Sequence, residues 1–538
     1  MNNPCYRYLV FLILLVSLFS CEDELPVILS IDPKIGTEDE ILLITGTGFG
    51  DERNGAYITI GGSPPVSSAY LEWNDSYISV SFPKTGSGIL YVHRNGKRSN
   101  PAVFANRNSI PEVKQGSNGV ALLVRQVRPV SGPIGSLITI QGSGFGVTRE
   151  GSGVFFALSA GTPEHDNGML GASERDYELW NDREIHVRIP DGVTSGNLEV
   201  RTRGGTSTPV AFTVTGQPGV KTFGERQRYT ITYTVDVQVI NAVSPNTLYL
   251  WVPEPVSSAS QRNIERLERS MLPLAEQYQG TSVFQLNDLT TDAYTGIKLS
   301  YSVDVYTVET SVRNQLVRQA VGSSNMASLY TMPSTLMPSD DERIKALAST
   351  IIGREQNPYE IARRLYEWLI NQGWINRLSR PVSVLDALET QSADSWAASL
   401  LFCALARASG VSAVPIAGVL VNQLNQVFPH YWAEFWLDDF GWIPLDPVLG
   451  AGDIPTDFDA HDNPSTYYFG NLDNQRIMFS RGIAVFSQMN PQGRITTRDR
   501  AYALQSLWEE AVGGLESYTA LWSDIIISGK MPHKGEEE

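Results

Sequence analysis

Three residues in the last third of the chain have the types and order for acyl chemistry: Ser395, His430 and Asp446. Ser395 stands in QSADSWAASLLFCALARASGV, where Ser392 or Asp394 can cap a helix and Trp396 to Ala408 is apolar enough for that helix to be central and buried. His430 and Asp446 stand in PHYWAEFWLDDFGWIPLDP. A nucleophile at a helix start meets unpaired amides and the positive end of the dipole, an imidazole removes its proton, and a carboxylate orients the imidazole. A hydroxyl holds its proton far more firmly than a thiol, and helix-end electrostatics cannot close that gap.

The elements that would carry the histidine and the aspartate can be tested by parity. Along HYWAEFWL, His430, Trp432, Glu434 and Trp436 share one face of a strand, and Tyr431, Ala433, Phe435 and Leu437 share the other. A two-residue turn at Asp439 and Phe440 pairs Asp446 with Ala433, on the wrong face for His430. A three-residue loop of Asp438, Asp439 and Phe440, with Gly441 in the left-handed conformation, pairs it with Trp432. Asp446 is then diagonal to His430 and within reach of the imidazole.

These segments resemble the core of the transglutaminase-like superfamily, a papain-type α+β fold whose members use Cys, His and Asp. Counted back from Arg407 and Gly410, the family's cysteine falls on Ser395, and its other two partners fall on His430 and Asp446. The surroundings also depart from the family pattern: Ala393 replaces a glycine two places before the nucleophile, and Gly410, Val411, Ser412, Ala413 and Val414 replace Gly-Ile-Pro-Ala-Arg. Two readings follow. Either the domain has lost its thiol chemistry and binds a polymer, peptide or glycan in the former cleft, or a Ser-His-Asp geometry makes it an amide or ester hydrolase or acyl transferase. A purely structural role, with His430 bonded to a carboxylate for stability, is a third. Trp374, Trp396 and Trp432 are the candidates to line the cleft. Cys403, eight residues after Ser395 within the apolar helix, reads as a small core hydrophobe.

The six histidines, at 93, 165, 186, 430, 461 and 533, have no ligand spacing, so neither a metal nor any other cofactor is expected. Near the N-terminus, Arg7 precedes the apolar run Leu9 to Phe19, the length of a signal peptide, which is expected to occupy residues 1–20. Its end, Leu18-Phe19-Ser20-Cys21, resembles a bacterial lipobox, and the resemblance implies lipidation of Cys21 and a membrane partner reached through that anchor. The acidic run Glu22, Asp23 and Glu24 marks exported lipoproteins in some Gram-negative groups, so an outer-membrane, surface-exposed address is expected. Without Arg7, 40 basic residues face 58 acidic ones, a formal charge of −18 that repels phosphate backbones and excludes nucleic acid. Cys5 leaves with the leader, so no disulfide forms in the mature chain.

An internal repeat precedes all of this. Ser30 to Gly50 reads SIDPKIGTEDEILLITGTGFG and Gln126 to Gly146 reads QVRPVSGPIGSLITIQGSGFG. Pro33, Gly36, Gly46 and Phe49 recur 96 positions later as Pro129, Gly132, Gly142 and Phe145. The blocks around Trp73 and Trp180 are offset by 107, which puts an insertion at Leu158 to Glu174. Short alternating strands between Gly and Pro turns indicate small sandwiches. They resemble the immunoglobulin-like IPT/TIG domains, expected over 26–106 and 118–216 as a stalk, with each tryptophan a packed strand aromatic rather than a stacking platform. The organisation that follows is multidomain: a β-rich region over 226–320, the core over 340–450, its C-terminal extension over 451–529, and a disordered tail over 530–538.

Overall fold

The computed structural model describes residues 25–532 apart from 38–39, 62–63, 66, 82–87, 107–120, 148, 150–151, 159–167, 174–175, 217, 279–280, 319–329, 378–380, 484–485, 487 and 499–506. The leader at 1–20, the anchor residue Cys21 and the end of the tail at 533–538 lie outside the described residues.

Each repeat folds into two facing sheets. In the first copy Val27–Asp32, Ile41–Thr47, Tyr77–Ser81 and Tyr70–Trp73 lie opposite Ile35–Gly36, Ala102–Asn106, Gly88–Arg94 and Tyr57–Ile60. Period-two alternation drives this: along ILLITGT, Leu42 and Ile44 are fully buried while Ile41 and Leu43 are exposed. The recurring glycines make the same contacts twice. A Cβ on Gly46 would meet the Val27 carbonyl at 2.0 Å and the Phe49 ring at 2.3 Å; on Gly142 it would meet the Leu123 carbonyl at 2.0 Å and the Phe145 ring at 2.5 Å. Trp73 donates to the Phe49 carbonyl and Trp180 to the Gly146 carbonyl, so both tryptophans are packed into their sandwiches. In the second copy the insertion supplies an extra edge strand, Met169–Gly171, paired with Gly153–Leu158.

Next comes a strand of 35 residues, β1 (Gly219–Pro253), paired along most of its length with β2 (Tyr294–Val312). Tyr229, Ile231, Tyr233, Val235, Val237 and Val239 point from one face of β1 into a shared core. The third region opens with four helices: α1 (Glu342–Ile352), α2 (Pro358–Ile370), α3 (Val384–Thr390) and α4 (Ser395–Ala408). They pack on an antiparallel sheet of β3 (Ala413–Val421), β4 (Val427–Leu437), β5 (Gly441–Leu445) and β6 (Arg476–Arg481), in the order β5-β4-β3-β6. Helix α4 is enclosed along nearly its whole length, as its apolar sequence requires.

The domain boundaries need three corrections. The β-rich sheet begins at Gly219, before the expected 226, and is completed by β7 (Leu507–Trp522) and β8 (Ile526–Pro532), which pair with β1. Residues 451–529 therefore do not form one extension: β6 joins the α/β sheet, and β7 with most of β8 joins the β-rich sheet. Lys530, Met531 and Pro532, expected as tail, end β8 because their backbone is paired with Tyr229, Arg228 and Gln227.

The second sandwich is also no free-standing stalk segment. Its core continues through Phe223, Tyr306 and Val308 to Trp432, Trp436 and Trp442 of the α/β sheet. Ile134 forms a bridge with Asp439, Gly135 lies against Trp436, and Lys221 joins Asp191 to the Trp442 carbonyl.

Candidate functional site

Helix α4 starts at Ser395 because Asp394, in extended conformation, caps it by accepting from the Ala397 N–H at 2.9 Å. Just upstream, Ala393 donates to the Trp374 carbonyl and accepts from Asn376, both at 2.9 Å, so the 374–376 segment runs across the helix start. The first turn of α4 packs on β4 through Trp396 and Tyr431, whose rings meet edge to face at 5.1 Å.

Strands β4 and β5 pair from Ala433 opposite Leu445 to Leu437 opposite Gly441, leaving a three-residue loop at 438–440. Gly441 has φ 100°, and its absent side chain leaves room for Asp191. That register sets Asp446 diagonal to His430, and His430 Nε2 lies 2.8 Å from Asp446 Oδ2. Asp446 Oδ1 accepts from the N–H groups of Val448 and Leu449, both at 3.1 Å, and so caps α5 (Pro447–Gly450). Burial alone would raise the Asp446 carboxyl, but His430, Arg476 and the Leu449 N–H outweigh it and hold it down at about 2. An ionised carboxylate only accepts, so Nε2 carries the hydrogen and Nδ1 is the nitrogen left for other work.

All three residues are enclosed: Ser395 is 6% exposed, His430 2% and Asp446 0%. His430 and Asp446 are brought together; Ser395 forms no hydrogen bond with His430. The three tryptophans do not line one cleft. Trp396 belongs to the helical core, Trp432 lies in the core shared with the second sandwich, and Trp374 is half-buried against Trp368. Alternation along β4 separates Trp396 from Trp432, since Tyr431 and Trp432 point to opposite faces. Cys403 is buried mid-helix with its thiol pushed up to about 12 by burial, which leaves it inert at neutral pH.

Sequence reasoning missed Arg476, the residue most tightly bound to the pair. Its Nη1 lies 3.0 Å from Asp446 Oδ2, its Nη2 2.6 Å from Asp473 Oδ2, and its Nε 3.3 Å from Asp473 Oδ1. The available signal was parity: Arg476 alternates with Ile477, whose side chain enters the β-rich core, and shares a face with Met478, which lies in the core holding Trp432.

Comparisons with known proteins agree with this layout. Residues 345–447 match the family description "Transglutaminase-like superfamily", and residues 26–104 and 122–214 match "IPT/TIG domain". No curated protein sequence matches the chain. Among solved structures, a Cytophaga hutchinsonii protein provisionally named a cysteine protease is 15% identical, with 59% of this chain and 95% of that one covered at a TM-score of 0.37. SGBP-B from a xyloglucan utilization locus of Bacteroides uniformis is 11% identical over 53% of this chain and 99% of its own, TM-score 0.13. The surface glycan-binding protein PbSGBP-B of Prevotella bryantii is 8% identical over 53% and 92%, TM-score 0.15. The chain therefore joins two IPT/TIG domains to a transglutaminase-like domain.

Proposed function

We propose that the protein is a cell-envelope lipoprotein of the outer membrane, anchored through Cys21, whose transglutaminase-like domain does no chemistry and which binds an extracytoplasmic polymer, peptide or glycan. The observation that carries the non-catalytic half is at Ser395. Its hydroxyl has no hydrogen bond to His430, and an alcohol without a base is no nucleophile at neutral pH. The enclosure of Ser395 and His430 supports the same reading, since a substrate carbonyl must reach both.

For the binding half, Ser395 and His430 are too enclosed to seat a polymer chain, and we assign the ligand to a trough on the second sandwich. Asn197, Glu199 and Arg201 line it from alternate positions of one strand, with Met169 and Thr206 beside them. Arg201 is stacked over Phe155 and paired with Glu199, which fixes a flat polar surface suited to hydroxyl-rich chains. Titration with soluble polysaccharides and cell-wall peptides tests this: Asn197→Ala and Arg201→Ala should each weaken binding, and unchanged affinity would move the site elsewhere.

The hydrolase reading is favoured by one observation, the 2.8 Å bond between His430 and Asp446. A serine-directed acylating probe decides between them. Wild-type protein should stay unlabelled, whereas stoichiometric labelling of Ser395 that Ser395→Ala abolishes would establish the hydrolase. The anchor is tested separately: Cys21→Ala should leave the membrane fraction or fail to mature, and a variant that still sediments with membranes after a salt wash would refute it.

A further inference from the structure

The charges around Asp446 carry a second inference, distinct from the missing sulfur at Ser395. Each oxygen of this fully enclosed carboxylate is used twice, Oδ1 by two backbone N–H groups and Oδ2 by His430 Nε2 and Arg476 Nη1. Arg476 is not a surface cation that happens to reach inward. It is buried, Asp473 holds its other two nitrogens, and its guanidinium lies near the rings of Trp432 and Tyr468, at 5.1 and 5.9 Å from their centroids.

A histidine working as a base becomes a cation, and its carboxylate partner matters because it stabilises that cation. Here the oxygen facing the imidazole already faces a permanent guanidinium charge, in an interior where charges are weakly screened. Asp473 balances Arg476 from the far side, bonding Nη2 and Nε and leaving Nη1 to Asp446. Beside the pair, the Trp432 ring stacks on His430, and Tyr366 and Tyr468 are buried phenols whose burial raises their pKa values.

We propose that Arg476 is the positioning residue of this pair: it fixes Asp446 as a structural acceptor and withholds from His430 the charge compensation a base requires. The inference rests on the non-catalytic reading but adds a cause independent of Ser395. The signs of its consequences are fixed. Removing the Arg476 charge should tighten the His430–Asp446 bond, and removing the Asp473 charge should turn Arg476 more fully onto Asp446 and loosen it.

Two measurements test this on the full chain. In nitrogen-15-labelled protein, the His430 Nε2–H proton resonance should move downfield in Arg476→Gln and upfield in Asp473→Asn; shifts of the same sign in both, or none in either, would overturn the proposal. In a Ser395→Cys background, alkylation of residue 395 by iodoacetamide, in which the thiolate displaces iodide, should speed up on the order of tenfold with Arg476→Gln at pH 7. Arg476→Lys, which keeps the charge, should not reproduce the gain. If Arg476→Gln does not fold, Asp473→Asn still decides: slower alkylation supports the proposal and faster alkylation overturns it. Acylation of wild-type Ser395 would instead sink the non-catalytic reading, a separate result on a different protein.

Discussion

The two copies of the repeat fold alike and are used differently. Both place a phenylalanine ring on a glycine and a tryptophan N–H on a backbone carbonyl, yet the first closes its own core while the second shares one with the α/β sheet. The cause lies in the few residues of the second copy that meet the α/β sheet and the strand leading to it. Where the second copy has Ile134 and Gly135, against Asp439 and Trp436, the first has Glu38 and Asp39; where the second has Asp191, paired with Lys221, the first has Lys84. Alternation and turn glycines thus make a sandwich, and the residues at the positions of Ile134, Gly135 and Asp191 decide whether it docks.

Substitutions at matched positions can break that contrast. The largest effect should come from Gly135→Leu, because its backbone has φ 84° and any Cβ would meet Trp436 at 2.6 Å. It should cost about 4 kcal/mol and separate the second sandwich from the α/β sheet, seen as two calorimetric transitions.

The shared feature should respond equally. Gly46→Ala and Gly142→Ala each push a Cβ into a carbonyl 2.0 Å away, and each should lower the denaturation midpoint of its sandwich by an amount equivalent to about 3 kcal/mol. Unequal losses would show that docking stabilises the second copy from within.

Acid should separate the regions again. The depressed Asp446 pKa means that the folded protein takes its proton only near pH 2, while the unfolded chain takes it near the usual aspartate value of about 3.9. Stability from this group is therefore present above about pH 4 and is lost as pH falls toward 2, at most about 2.5 kcal/mol, and Asp446→Asn should remove that dependence from urea melts. The first sandwich has no buried carboxylate among the described residues, so its transition should lack this component.

The smallest effect should be Lys221→Met, about 2 kcal/mol in the docked unit, because it strips the partner from Asp191 and from the Trp442 carbonyl.

Much of the site was legible in the sequence because it is local. The three-residue loop, the diagonal between Asp446 and His430 and the cap at Asp394 all depend on residues no more than 16 positions apart. The common cleft for Trp374, Trp396 and Trp432 failed because strand parity sends Trp432 away from the face on which Trp396 packs, and spacing alone does not reveal what covers each face.

By itself, then, the sequence determined the two sandwiches, the helix that begins at Ser395 and the His430–Asp446 hairpin, since periodicity, caps and turn residues act through neighbours along the chain. Only the tertiary structure decided that Arg476 shares Asp446, that β7 and β8 return to β1, and that the second sandwich covers the tryptophan-bearing face of the α/β sheet. Those contacts join residues 30 to 305 positions apart, where closure depends on which whole surfaces fit together and no short segment carries the signal.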